Sequence, residues 1–218
     1  MGLPTEIGRH REGRFIVLFA LTLAFHVTLP LLRLLEYINV LFGLGFIILL
    51  GYAGWITVER HRPRVAYLGL MLISLVSTGT LILGHSAVNK VWLAFHAAFV
   101  VLIAVLVTRW TIARERVTLD TIFAALSGYY LMGFAWALIY ALIERFAVDS
   151  FSVDISANLD QAFYFSFVTI TTLGYGDIVP TSPLTRALVT TEALVGQIYL
   201  IVLVARLVAM RTEHAGES

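Results

Sequence analysis

Six stretches of the chain, residues 15–32, 37–58, 65–84, 91–108, 121–146 and 184–210, are apolar and nearly free of Asp, Glu, Lys and Arg. Each approaches or exceeds the ~20 residues that a helix needs to cross about 30 Å of hydrocarbon, so the pattern predicts six transmembrane helices. The first four are joined by short connections, and a polar link, 109–120, leads into the fifth. Between the fifth and sixth lies 147–183, too long for a hairpin and too rich in Ser, Asp, Thr and Gly for an ordinary span. Inside it, Leu159 to Val168 is aromatic and compatible with a short helix. The predicted fold is therefore an all-α membrane protein, with a re-entrant helix and loop between helices five and six.

Composition changes this picture only by strengthening it. Of 218 residues, 59% are apolar and 13% charged, against roughly 45–50% and about 25% in soluble domains. Lipid is the expected solvent. The absence of cysteine excludes a disulfide framework, a thiolate metal site, a Cys nucleophile and lipidation through Cys. A formal net charge of +1 gives no reason to expect nucleic acid as a partner.

Where the charges fall sets an orientation, because short loops rich in Lys and Arg stay in the cytoplasm. Arg9, Arg11, Arg14, Arg60, Arg62, Arg64, Arg109, Arg114, Arg116, Arg206 and Arg211 share one side of a six-span arrangement, eleven of the 15 basic residues. Only Arg33, Lys90, Arg145 and Arg186 fall on the other. Both termini are thus expected in the cytoplasm of a cell-membrane protein, with 147–183 facing outward. The first apolar run is longer than the about 7–15 residues of a signal peptide and ends without a small-x-small cleavage site, so it is expected to be retained. The expected organisation is a cytoplasmic N-terminus (1–14), a four-helix domain (15–108), a cytoplasmic linker (109–120), a two-helix unit (121–210) and a cytoplasmic tail (211–218).

The outward segment contains Thr169-Ile170-Thr171-Thr172-Leu173-Gly174-Tyr175-Gly176-Asp177. This run resembles the pore signature of potassium channels, Thr-Val-Gly-Tyr-Gly followed by Asp, with Leu173 in place of the commoner Val. The resemblance spans about 121–210, while the first four helices add only their number, which is similar to that of six-span channels. The residue types also make sense without it. An ion that sheds its water needs closely spaced oxygen dipoles, and backbone carbonyls can supply them where the chain adopts angles that Gly174 and Gly176 reach cheaply. The resemblance implies that the carbonyls of Thr172, Leu173, Gly174 and Tyr175, with the Thr172 hydroxyl, bind K⁺, and that Gly176 completes the filter. One chain supplies one such strand, so a homotetramer around an axis is implied. The short helix, capped by Asn158 or Ser156, would aim its carboxyl end at the membrane centre and favour a cation there.

Several further residues are expected to support this pore. Tyr164 and Phe165 stand where many relatives carry two tryptophans that brace the filter tyrosine; Phe165 has no donor, so only Tyr164 could bond toward Tyr175, and both could instead simply fill space. Thr171 flanks the filter, and Val168 stands where some relatives place a Glu. Asp177 is expected at the outer mouth, facing Arg145 and Arg186; Asp149, Asp154 and Asp160 would either join it there or simply be solvated acids of the loop. Glu192, an acid well inside a span, must face protein or water or be protonated, since a charge facing lipid costs at least ~2.5 kcal/mol. It either bonds behind the pore helix, with Thr190, Thr191 or the pore-helix threonines as partners, or senses protons during gating. Gly196 lies twenty residues beyond Gly176, matching a hinge glycine of the family's inner helices, or else it permits close helix contact. In the same register Gln197, Leu200, Val204 and Val208 would line the cavity or lower gate.

The fourth apolar stretch, 91–108, has no basic residue, so the first four helices resemble a voltage-sensor bundle without gating charges and weak voltage dependence is expected. His26 and His96 raise the alternative of a membrane-embedded haem or redox protein, although neither belongs to an i, i+4 metal pair. A secondary transporter is another alternative, but it would favour an internal repeat that the chain lacks. No nucleophile elbow, paired carboxylates or phosphate loop is present. The sequence therefore predicts a K⁺-selective, voltage-insensitive channel that is no enzyme, needs no cofactor beyond the permeant K⁺, and has copies of itself and membrane lipids as partners. Only eight residues follow Met210, so regulation is expected through the spans, lipid, pH, ions or another chain.

Overall fold

The computed structural model describes residues 13–31, 38–57, 67–76, 86–114, 117–156 and 159–215. Seven helices run through them: α1 (Arg14–Leu31), α2 (Ile38–Thr57), α3 (Tyr67–Val76), α4 (Ser86–Ile112), α5 (Leu119–Phe146), α6 (Leu159–Ile170) and α7 (Pro183–Ala215). Three are long and apolar enough to cross a membrane, over Lys90–Ile112, Leu119–Phe146 and Pro183–Arg206. Shorter apolar helices occupy Arg14–Thr28, Gly43–Thr57 and Tyr67–Val76. The described residues contain no strand, only an isolated antiparallel bridge between Phe151 and Pro180.

Helix ends follow local chemistry. Thr118 caps α5: its hydroxyl accepts the Thr121 amide at 3.2 Å and the Thr121 hydroxyl accepts the Thr118 amide at 3.4 Å, so two amides that the helix leaves orphaned are satisfied reciprocally. Asp120 in the first turn accepts the Gly13 amide at 2.9 Å, tying the start of α1 to the start of α5. At the head of α7, Ser182 accepts the Thr185 amide at 3.2 Å and Pro183 follows at the first helical position, where its missing N–H costs nothing. Helix α4 continues through Arg109 to Ile112 and α5 begins at Leu119, so both helices reach into the polar stretch 109–120.

Helix α5 is the hub. It packs along α4, α1 and α6 and, less extensively, α7. Aromatic rings carry that core from the first helices through α5 into α6. Phe46 of α2 meets Phe25 of α1 at 5.5 Å, Phe25 meets Phe134 of α5 at 5.7 Å, and Phe134 meets Phe163 and Phe167 of α6 at 5.1 and 5.6 Å. These three pairs made by Phe134 meet edge-to-face, an arrangement favourable beyond the area it buries. The result is a single apolar cluster from Phe15 to Phe165, on which the short helix α6 rests.

Candidate functional site

The site begins where α6 stops. The Thr171 amide still bonds back to the Phe167 carbonyl at 3.2 Å, that of Thr172 reaches Thr169 at 2.9 Å, and that of Gly174 reaches Val168 at 3.2 Å, so the chain peels off the helix end. The Thr171 hydroxyl also donates to the Phe167 carbonyl. Beyond this, φ is positive at Thr172 (62°), Gly174 (59°) and Gly176 (77°) and not at Leu173 or Tyr175. Alternation of hand is the backbone pattern that can bring successive carbonyls to one side of a ribbon. A Cβ at Gly174 or Gly176 would meet nothing within 4 Å, so backbone hand and not space calls for glycine there. Thr172 accepts the left-handed conformation without that help, at about 1–2 kcal/mol. All five residues from Thr172 to Gly176 are exposed on the single chain.

Both flanks of this ribbon are anchored. On the far side, residues 179–181 lie against 149–152: the Ser152 amide donates to Val179 and the Thr181 amide to Ser150, each at 2.9 Å, and the Val179 amide donates to the Ser152 hydroxyl at 3.0 Å. Thr185 of α7 adds its hydroxyl to the Ser150 carbonyl at 2.9 Å. The turn that carries 149–152 is itself held by Glu144, buried at the end of α5, whose carboxylate accepts the Asp149 and Phe151 amides at 3.0 and 3.2 Å.

The aromatic pair divides. Tyr164 stacks on Tyr175 with centroids 6.5 Å apart and planes 14° from parallel, and its hydroxyl donates to the Asp177 carboxylate at 2.7 Å, not to Tyr175. That bond holds the Asp177 carboxyl below the ordinary range and raises the Tyr164 phenol. Phe165 points the other way, packed edge-on against Tyr140 at 5.4 Å and Phe151 at 5.1 Å. Val168 is buried behind the ribbon. Of the loop acids, Asp154 accepts the amide and hydroxyl of Ser156 at 2.9 and 2.6 Å, which occupies Ser156 away from the α6 end; Asn158 lies outside the described residues. Arg145 donates to the Ser156 carbonyl at 3.0 Å and Arg186 to that of Pro180 at 3.2 Å.

Glu192 is fully buried and its partners differ from those expected. Tyr140 of α5 donates to Oε2 at 2.6 Å and Ser166 of α6 lies 2.6 Å from Oε1. Thr190 and Thr191 instead return their hydroxyls to carbonyls of their own helix, Arg186 and Ala187, the local bond open to any helical threonine. Gly196 makes a close approach: a Cβ there would stand 2.9 Å from the Ile170 carbonyl oxygen and 2.5 Å from its side chain. Tyr129 of α5 donates to that same carbonyl at 2.9 Å. The last turn of α6 is thus gripped by α5 and α7 together. Tyr129, Gly133 and Tyr140 fall on one face of α5, at spacings of four and seven, and this polar stripe in an apolar span was the signal that sequence reasoning overlooked; Ser166 and Ile170 answer it four apart on α6. Glu144 escaped notice because it sits next to a charged neighbour at a helix end.

Gln197, Leu200, Val204 and Val208 are exposed on α7. His96 is fully buried with both nitrogens engaged: Nδ1 donates to the Trp92 carbonyl at 2.8 Å, which leaves Nε2 to accept from Ser74 at 2.7 Å. His26 packs its ring on Phe167 at 4.3 Å. The two imidazoles therefore serve separate helix contacts, and among the described residues no three His, Asp or Glu side chains gather where a metal could bind.

Comparison with known proteins places this geometry. A family model described as "ion channel" matches residues 117–213. Protein LctB of Bacillus caldotenax is 32% identical over 118 residues, which cover 50% of this chain and 87% of the relative. The namesake from Geobacillus stearothermophilus is 29% identical over the same shares. The inward rectifier potassium channel Kirbac3.1 of Paramagnetospirillum magnetotacticum is 36% identical over 77 residues, 35% of this chain but only a quarter of that protein. No solved structure matches the chain.

Proposed function

The chain belongs to the ion channel family, among its potassium channels, and from that premise we propose that it forms a homotetrameric, K⁺-selective pore through which ions pass passively. The observation that carries this reading is the ribbon Thr172-Leu173-Gly174-Tyr175-Gly176, whose hand alternates residue by residue and which lies exposed at the end of α6. Carbonyls of Thr172, Leu173, Gly174 and Tyr175, with the Thr172 hydroxyl, take the place of the ion's water. Helix α6 is the re-entrant pore helix, tolerable at membrane depth because the non-helical backbone after it lines a water-filled path. Four ribbons are needed to surround an ion, and exposed apolar groups at Leu173, Leu194, Ile198 and Ile201 supply the surface that copies and lipid would cover.

Six spans with both termini in the cytoplasm fit the way charges group in space. Arg206 donates to the Arg114 carbonyl at 2.7 Å and Gly13 bonds to Asp120, gathering residues assigned to the inner side. Lys90 lies 4.7 Å over the Phe146 ring, gathering two assigned to the outer side. Helix α4 holds no basic residue between Lys90 and Arg109, so conduction depends weakly on voltage. Gln197, Leu200, Val204 and Val208 line the inner cavity, and the close packing of Gly196 on Ile170 sets where α7 can pivot.

Purified protein in liposomes with K⁺ or Na⁺ as sole cation tests the proposal. Flux of K⁺ at least about a hundredfold above Na⁺, a difference of about 2.7 kcal/mol, is expected. Equal fluxes, or crosslinking that never yields four chains, would refute it.

A further inference from the structure

Three short oxygen contacts link Tyr140, Glu192, Ser166 and Gly133, and the protons to fill them can be counted. Its hydroxyl lies 2.6 Å from Oε1 of Glu192 and 2.8 Å from the Gly133 carbonyl oxygen, while Tyr140 lies 2.6 Å from Oε2. A serine carries one O–H and a tyrosine one. If Glu192 were ionised, two protons would have to serve three contacts, and Ser166 would set its oxygen against either a carboxylate or a carbonyl with no hydrogen between them. One further proton on Oε1 completes the chain from Glu192 to Ser166 to Gly133, with Tyr140 closing on Oε2.

The surroundings agree. Glu192, Tyr140 and Ser166 are all fully buried, and an unpaired charge is the costliest group to bury. Among the described residues the carboxyl meets two hydroxyls: α5 turns Tyr140 to it, with the Tyr129 phenol as the next titratable group, and α6 turns Ser166. No ammonium or guanidinium group contacts it among the described residues.

We propose that Glu192 works as a neutral carboxylic acid whose Oε1–H donates a hydrogen bond to the Ser166 hydroxyl, and that this bond makes it the positioning residue joining α5, α6 and α7 behind the filter. The consequence for conduction rests on the channel reading above; the protonation does not. Loss of the proton would strip one link of the chain and leave a bare charge among apolar helices, so the filter's footing should fail on the alkaline side.

Infrared spectroscopy of the full chain in liposomes tests the proton directly. At neutral pH the wild type should show the carbonyl band of a protonated carboxylic acid, shifted in D₂O and absent in Glu192→Gln; Ser166→Ala should move the band to higher frequency by removing its acceptor. Glu192→Gln offers an N–H to Ser166 and a carbonyl to Tyr140, so its K⁺ flux should stay within about twofold of wild type and lose the alkaline decline. Glu192→Ala, which leaves two buried hydroxyls unanswered, should lose at least about tenfold. Absence of the band in wild type at neutral pH, or a Glu192→Gln as impaired as Glu192→Ala, would overturn the assignment. A wild type that shows the band yet carries no K⁺ would sink the channel reading and leave the proton in place; K⁺ flux without the band would do the reverse.

Discussion

Helices α5 and α7 are both long and apolar enough to span a membrane, yet 61% of the apolar window of α5 is buried within the chain and only 11% of that of α7. The same kind of sequence therefore serves two ends. Helix α5 finds its neighbours inside its own chain, in α1, α4 and α6. Helix α7 touches the chain at fixed points, among them Thr185, Glu192, Gly196, Tyr199 and Arg206, and leaves Leu194, Ile198, Ile201 and Val204 bare. Hydropathy alone cannot separate the two, because lipid, a neighbouring helix and another subunit all look alike to an apolar side chain.

The sharpest way to break this contrast is to cut equally apolar groups from each helix. Phe134→Ala removes a fully buried ring from the centre of the aromatic core and should lower the stability of the single chain by about 3–5 kcal/mol, read by denaturant unfolding in detergent. Ile201→Ala on α7 should leave that unfolding within about 0.5 kcal/mol and be felt, if anywhere, in the crosslinked tetramer fraction. Similar losses of chain stability at both sites would end the distinction. Next in size is Gly196→Val, which drives carbon atoms into the Ile170 carbonyl at about 1–3 kcal/mol; proteolysis between α6 and α7 and K⁺ flux should both register it, and a silent variant would show that α7 does not rest there. Tyr129→Phe removes the donor to the same carbonyl for about 1 kcal/mol, and a fall in K⁺ over Na⁺ preference, with the fold intact, is the expected reading.

Smallest is the outer mouth. Because the Tyr164 bond depresses the Asp177 carboxyl, its contribution is fully present above the ordinary aspartate range, about 4, and is lost as pH falls through the lowered folded value. Tyr164→Phe returns the carboxyl toward its ordinary range, so the acid limit of flux should move to higher pH. An unmoved limit, measured by titrating the outer solution, would show that this bond does not govern the mouth.

How far the sequence could be read follows the range of the interactions. The six apolar stretches match helices in outline wherever the residues are described, since apolar runs and caps such as Thr118 and Ser182 are local. The special backbone of the Thr172–Gly176 ribbon was legible because each residue's hand is dictated within a few positions, as at Gly174 and Gly176. That Glu192 must be sheltered followed from its place in a span. Which groups shelter it did not follow, because Tyr140 and Ser166 lie 52 and 26 residues away and a helix's rotation about its own axis is set by packing. Phe165 shows the same limit: adjacent to Tyr164 in sequence, it turns about 100° around α6 and serves the core instead of the ribbon.

One contact joins what this contrast separates. The guanidinium of Arg206, four turns below the buried acid of α7, holds the main chain of Arg114 at the exit from α4. A splaying of the far end of α7 must therefore either release that grip or drag the end of α4 sideways with it, so the first helices act as ballast on the last helix although α7 leaves most of its own surface bare.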